Sequence, residues 1–307
     1  MTKPVIPLSL SLAALVMLLG FDAIGQQRIA AIQNFMGDVE VEHSAQIIKP
    51  LKIGKVIRNG DIFDSDTVRT RKGEADLLVA DGSIVRLDQN TTLYMAFEGA
   101  QPGAPAPPPA AMDRKLRLIV GRIWCDIKPS RTTTTKFELP DGVAAVRGTV
   151  VEFGVTGPSE WDAMVDRGVM SLTHTGINAQ MSLKTGNKIG VRKGSAVITN
   201  LGSDEVDILL ADGSKLSDFD PGDIVEVELL PDGRYIIKML RGSAVFTSAG
   251  GRQTRLNEGD SVESGGLPPG APGEGMAAPI VPQRFISPSQ SGGRTTPDSH
   301  EPFVLEP

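Results

Sequence analysis

The sequence predicts an all-β protein, and three observations carry that reading. Beyond the first 25 residues no stretch shows the 3.6-residue apolar period of a useful amphipathic helix. Short runs rich in Val, Ile, Leu and Thr recur instead, separated by Gly, Asp and Asn. Thirdly, 34 Gly and 22 Pro in 307 residues exceed average usage, which a chain of many short strands and turns requires. The expected architecture is a short-stranded β-sandwich or a β-solenoid-like stack.

The N-terminal segment stands apart. Lys3 is followed by an uncharged run from Pro4 to Phe21, with an apolar centre Leu12–Leu19, and then by Ala23-Ile24-Gly25. Charge, apolar core and small-residue site make residues 1–25 a signal peptide, expected to be cleaved before Gln26. The competing reading is an uncleaved anchor, although Pro4 and Pro7 shorten any helix there. Either way the remainder is expected outside the cytoplasm, and no Cys follows the apolar run to accept a lipid.

Strands are then expected at 38–42, 75–80, 84–87, 91–97, 116–127 and 143–155, within a first domain spanning 26–175. Residues 101–111 are Pro-rich and read as an insert joining two strands. A second small β module is expected over 176–263, with strands at 224–230 and 235–240. Asp81-Gly82, Asp212-Gly213 and Asp232-Gly233 are hairpin signals, because Gly accepts the positive φ of tight turns. From 264 to 307, Pro, Gly and Ser dominate and apolar residues are isolated, so a disordered tail is expected. Ala75–Ser83 echoes Val206–Ser214, and Arg167-Gly168, Lys193-Gly194 and Arg241-Gly242 each precede a strand-like run. Stacked hairpins or solenoid coils would produce such units, though one matched pair does not establish an array.

The order of motifs from about Met36 to Leu172 resembles the FecR-like domain family, named after the periplasmic regulator of ferric citrate signalling. Gly60-Asp61-Ile62-Phe63 with Thr67-Val68-Arg69-Thr70 is loosely similar to its opening element. Ala80-Asp81-Gly82-Ser83 resembles its DGS hairpin, and Leu118-Ile119-Val120-Gly121-Arg122-Ile123-Trp124 its tryptophan strand. Val143-Ala144-Ala145-Val146-Arg147-Gly148-Thr149 ends in the family's V-R-G-T signature. The resemblance implies a FecR-type β domain in which Asp81, Gly82, Ser83, Trp124, Val146, Arg147, Gly148 and Thr149 are motif residues of structural role. Signalling regulators of this family carry a cytoplasmic helical anti-sigma segment before the membrane span. Only three residues precede the apolar run here, so direct sigma-factor control by this chain is not expected.

Chemistry is sparse. His43, His174 and His300 are the only imidazoles, and no nucleophile elbow, zinc spacing, phosphate loop or dinucleotide fingerprint occurs, so no enzyme, cofactor or metal is expected. Asp61, Asp64 and Asp66, like Asp218, Asp220 and Asp223, are read as turn residues rather than calcium loops. Cys125, the single cysteine, is expected to be a buried thiol. Arg147, between Val146 and Val150, is expected to be part-buried and paired, with Asp81 as its carboxylate. Trp124 is expected in the core, and Trp161 on a loop where it can touch a ligand. The net charge of −6 argues against nucleic acid. A non-enzymatic sensing or protein-binding module of the bacterial envelope is therefore expected, with an envelope protein or transporter as partner. The alternative is an envelope or polysaccharide-binding scaffold, with membrane contact only through an uncleaved N-terminus.

Overall fold

The computed structural model describes residues 27–98, 112–131, 133–204 and 206–264. The expected signal peptide, the Pro-rich insert and all but the first residue of the expected tail lie outside them. The described residues form 26 strands and no helix.

Alternation sets the architecture. In β8 (Glu74–Val79), β15 (Glu160–Arg167) and β17 (Ala179–Lys184), every second side chain is buried. Each such strand has one apolar face to hide, so two sheets close over one core. The first sheet contains β1 (Arg28–Met36), β6 (Asp61–Phe63), β8 and β9 (Ile84–Leu87). The second contains β2 (Val39–His43), β3 (Gln46–Ile48), β7 (Asp66–Thr70) and β10 (Thr91–Phe97).

One long strand, β11 (Arg114–Asp126), belongs to both. Its first half pairs with β10 and, in parallel, with β12 (Thr135–Leu139); its second half pairs with β9 and β14 (Val150–Gly157). The change of sheet falls at Gly121, whose φ is +101°, and any Cβ there would lie 2.4 Å from the Cα of Thr91. Only glycine fits this corner. The Thr91 hydroxyl clamps it, accepting the Arg122 amide at 3.0 Å.

From β14 onward the chain repeats a simple move. The β14–β15 hairpin lies in the first sheet, and β16 (Val169–His174) with β17 in the second. Next come β18 (Asn187–Arg192) with β19 (Ser195–Asn200) in the first, and β20 (Asp207–Leu210) with β21 (Lys215–Ser217) in the second. The round then recurs in β22 (Ile224–Leu229) with β23 (Tyr235–Arg241), and β24 (Ser243–Thr247) with β25 (Gln253–Asn257), before β26 (Ser261–Ser264). The leading strands begin at Val150, Asn187, Ile224 and Ser261, a period of about 37 residues. The crossings back to the first sheet repeat a bond: Gly186, Gly222 and Gly259 donate their amides to the carbonyls of Val165, Asn200 and Met239 at 2.7, 2.6 and 2.9 Å. The sandwich and solenoid readings are thus both correct. Pairing runs through Thr175 without a gap, since β13 (Gly142–Val146) meets β16, β16 meets β17 and β15 meets β18.

Candidate functional site: the V-R-G-T corner

β13 lies in the second sheet and β14 in the first, so the chain must change sheets between Val146 and Val150. Along β13, Ala144 and Val146 face the core, and the opposite parity falls to Val143 and Ala145. Arg147 continues that outward parity and is exposed. This overturns the expectation of a part-buried, paired Arg147: the strand ends at Val146, and the guanidinium meets no carboxylate among the described residues. Gly148 takes φ +66°, and Pro129 packs so close that a Cβ there would meet its ring at 3.2 Å. Thr149 is fully buried; its hydroxyl donates to the Val169 carbonyl at 2.9 Å, and its own carbonyl accepts the Ile127 amide at 3.0 Å. Val146 and Thr149 are therefore the roots of the turn, and Arg147 is what it displays.

The DGS hairpin supports this corner from below. Ser83 donates its amide to Asp81 Oδ1 at 2.9 Å, and Ser83 Oγ accepts the Lys128 amide at 3.0 Å. That bond fixes the start of the Lys128-Pro129 loop, whose proline abuts Gly148. Asp81 itself pairs with Arg114, not Arg147: Arg114 Nη2 lies 2.5 Å from Asp81 Oδ2 and 3.1 Å from Thr135 Oγ1. Burial alone would raise the Asp81 carboxyl, but the Arg114 guanidinium and the Ser83 amide outweigh it and hold the carboxyl below its ordinary range. Arg114 is only 2% exposed, and sequence reasoning missed it. The available signal was parity, since Arg114 is in phase with the inward Leu116 and Leu118.

Neighbouring corners add charge. Gly168, with φ +97°, packs on the Gly148 carbonyl and donates its amide to Thr185 Oγ1 at 3.0 Å. The adjoining cations are Lys128, Arg131, Arg147, Arg167 and Lys184. Lys128 and Arg167 share Asp126, at 3.0 and 3.3 Å, whereas Arg131, Arg147 and Lys184 have no acidic partner among the described residues. Exposed Asp166 adds a carboxylate nearby. A chain of net charge −6 thus presents a locally positive corner, suited to an acidic or otherwise anionic group.

Other singled-out residues lie elsewhere. Trp124 is in phase with Arg122 and Asp126 and half-exposed on the outer face of the first sheet, with the Arg86 guanidinium 5.6 Å from its ring centre. Trp161 is buried, donates its indole N–H to Asp141, and packs against His174 with ring centres 5.4 Å apart and planes tilted by 40°. The roles expected of the two tryptophans are thus reversed. His174 accepts the Gly176 amide on Nδ1 at 3.0 Å, and His43 bonds Asp66 at 2.6 Å; each ring serves a structural contact. Cys125 is buried, which pushes its thiol well above the ordinary range. Asp66 accepts the Phe63 amide three residues before it, as a turn residue does, whereas Asp61 and Asp64 bond separately to Arg28 and the Phe97 amide, each 33 residues away. Asp223 accepts the Asp220 amide at 2.8 Å in the same manner.

Comparison with known proteins agrees with the motif reading. Residues 66–170 match the family described as FecR protein. No curated protein matches the chain. Among solved structures, a candidate anti-sigma factor from Parabacteroides distasonis is similar at 12% identity and a TM-score of 0.33, over 51% of this chain and 60% of that one. The TCP10 domain of Danio rerio CPAP aligns at 14% identity and a TM-score of 0.13, over 64% of this chain and 90% of that one. This chain therefore spans less than two thirds of the bacterial structure it resembles.

Proposed function

We propose that the protein is a non-enzymatic, extracytoplasmic module of the bacterial envelope that senses or docks a protein partner through the V-R-G-T corner. The observation that carries this is the display of Arg147. A guanidinium without an acidic partner, held on a glycine turn whose roots are buried, contributes little to folding and is free to recognise an anionic side chain. The FecR match, which contains both the DGS hairpin and the V-R-G-T turn, supports a signalling context. The signal-like residues 1–25 support export, and N-terminal sequencing of the native protein near Gln26 tests that part.

The site itself is tested by placing a photo-crosslinking amino acid at position 147 and irradiating intact cells. A discrete protein adduct, weakened by Arg167→Glu, is expected. Absence of an adduct at 147, with adducts forming from the outer face of the first sheet, would overturn the reading. The second reading, a polysaccharide-binding scaffold, draws on Trp124, whose half-exposed ring lies on the outer face of the first sheet between Arg86 of β9 and Glu152 of β14. Quenching of Trp124 by soluble envelope glycans, absent in Trp124→Phe, would favour it.

A further inference from the structure

The segment before the FecR match forms a small sheet of its own. β4 (Leu51–Ile53) and β5 (Val56–Arg58) pair only with each other, with Leu51 opposite Arg58 and Ile53 opposite Val56. Period two puts these four side chains on one face and Lys52 and Ile57 on the other. The inner face holds the hairpin to the body. Ile57 packs against the core beside Ile32, and Lys52 Nζ reaches Asn34 Oδ1 at 3.0 Å. The tip, Gly54, has open space around it.

The outer face is apolar and bare. Leu51, Ile53 and Val56 are 54%, 58% and 59% exposed, and nearby Ile47 is 58% exposed. Three large aliphatic side chains sharing one exposed face are unusual on a soluble surface. The charge carried by the hairpin itself is of one sign, and the nearest carboxylates, Asp38, Glu40 and Asp61, are paired with Lys49, Arg71 and Arg28. Between Ser44 and Gly60 the sequence has Lys49, Lys52, Lys55 and Arg58 and no carboxylate, in a chain of net charge −6. Lys49 is tied back to Asp38 and Glu40, while Lys55 and Arg58 have no acidic partner among the described residues.

We propose that this hairpin is a docking element for an anionic lipid surface, with Leu51, Ile53 and Val56 entering the interfacial layer and Lys55 and Arg58 meeting the headgroups. An exposed tip with an apolar face and unpaired cations at Lys55 and Arg58 matches a bilayer interface, where apolar burial and headgroup attraction add. A peptide partner would be better served by a groove with mixed hydrogen-bonding groups.

The buried, unreactive Cys125 makes the test specific, because Ile53→Cys supplies the single accessible thiol. An environment-sensitive fluorophore at 53, on the full chain, should brighten with vesicles of equal parts phosphatidylglycerol and phosphatidylcholine, and be quenched by spin-labelled lipid. The same label at Val143, on the second sheet's outer face, should not respond. Adding Lys55→Gln and Arg58→Gln should raise the lipid concentration for half-brightening about 25-fold, roughly fivefold per cation. Reading the label itself separates the hairpin from any contribution of residues 1–25. No response at 53, or an equal response to pure phosphatidylcholine, would overturn the proposal. Brightening that follows protein concentration without lipid would overturn it too, and assign the face to a second copy of the chain.

Discussion

Arg114 and Arg147 should respond to truncation in opposite ways. Arg114 is 2% and Asp81 10% exposed at the side chain, so Arg114→Ala strands a carboxylate that water scarcely reaches. Removing one partner of such a pair typically costs about 3 to 5 kcal/mol. For a cooperative unit of this size that is a melting shift of about 6 to 20 °C, at roughly 2 to 4 °C per kcal/mol. Arg147→Ala, exposed and unpaired, should stay within about 0.5 kcal/mol of wild type. Urea melts of both variants decide it, and pH sharpens the result. In the wild type the Asp81 carboxyl is held below its ordinary 3.8, so its stabilisation is present above that pH and lost as pH falls through the lower folded value. Without Arg114, only the Ser83 hydrogen bonds oppose burial and that carboxyl rises, so the penalty grows as pH climbs through the carboxylate range. The gap between wild type and Arg114→Ala should therefore widen with rising pH. A gap independent of pH, or an Arg147→Ala as unstable as Arg114→Ala, would refute the assignment of the ion pair.

Three further outcomes follow from the geometry. His174 is fully buried, and burial, opposed only in part by the Asp141 carboxylate, lowers its pKa from 6.5. The unfolded chain then binds the proton more readily, so this site's stabilisation is lost as pH falls below about 6.5. His174→Gln should flatten that acid limb in urea melts. Gly121→Ala must place a Cβ 2.4 Å from the Thr91 backbone at positive φ, and should destabilise by more than the ~1 kcal/mol of an ordinary glycine replacement; a melt equal to wild type would mean that β11 does not turn there. Truncation after Thr175 removes β17 from β16 and β18 from β15, leaving two bare edges. Sedimentation should show the shortened chain associating, whereas a stable monomer would mark residue 175 as a true domain boundary.

Much of the fold was legible because strands and turns are local. The Asp-Gly sites at 82, 213 and 233 are tight turns, each Gly amide returning to the carbonyl three residues before it. The repeat was half-visible. Arg167-Gly168 and Arg241-Gly242 are equivalent corners, each at a passage from the first sheet to the second, but Lys193-Gly194 is a hairpin turn. The true period is carried by Gly186, Gly222 and Gly259, where the glycine alone is common to all three corners, followed by Asn187, Asp223 and Asp260. The site was misread where composition was used in place of parity. Arg147 has apolar neighbours, but the outward positions Val143 and Ala145 share its phase. Trp124 alternates with Ile123 and Cys125, and so belongs with Arg122 outside. The pairing of Asp81 with Arg114 was not recoverable from local sequence, because it bridges 33 residues and the two sheets.

The repeat also explains why recognition would concentrate at corners. In a sandwich extended by alternating hairpins, inward positions are fixed by the core and several outward charges lie in ladders with opposite partners, such as Asp76 with Arg86, or Glu138 with Lys115 and Arg117. Those charges already satisfy one another. The passages between sheets have no opposite strand, so a side chain placed there faces solvent alone unless a turn residue reaches it. Asp223 and Asp260 spend their carboxylates on local amides, closing their corners. At the V-R-G-T corner the closing bond comes instead from the neutral Thr149 hydroxyl, which donates to the Val169 carbonyl. The cation beside it is left uncompensated by the fold, and with the unpaired Lys184 of the next corner close by, this end of the sandwich is where a partner's charge would be read.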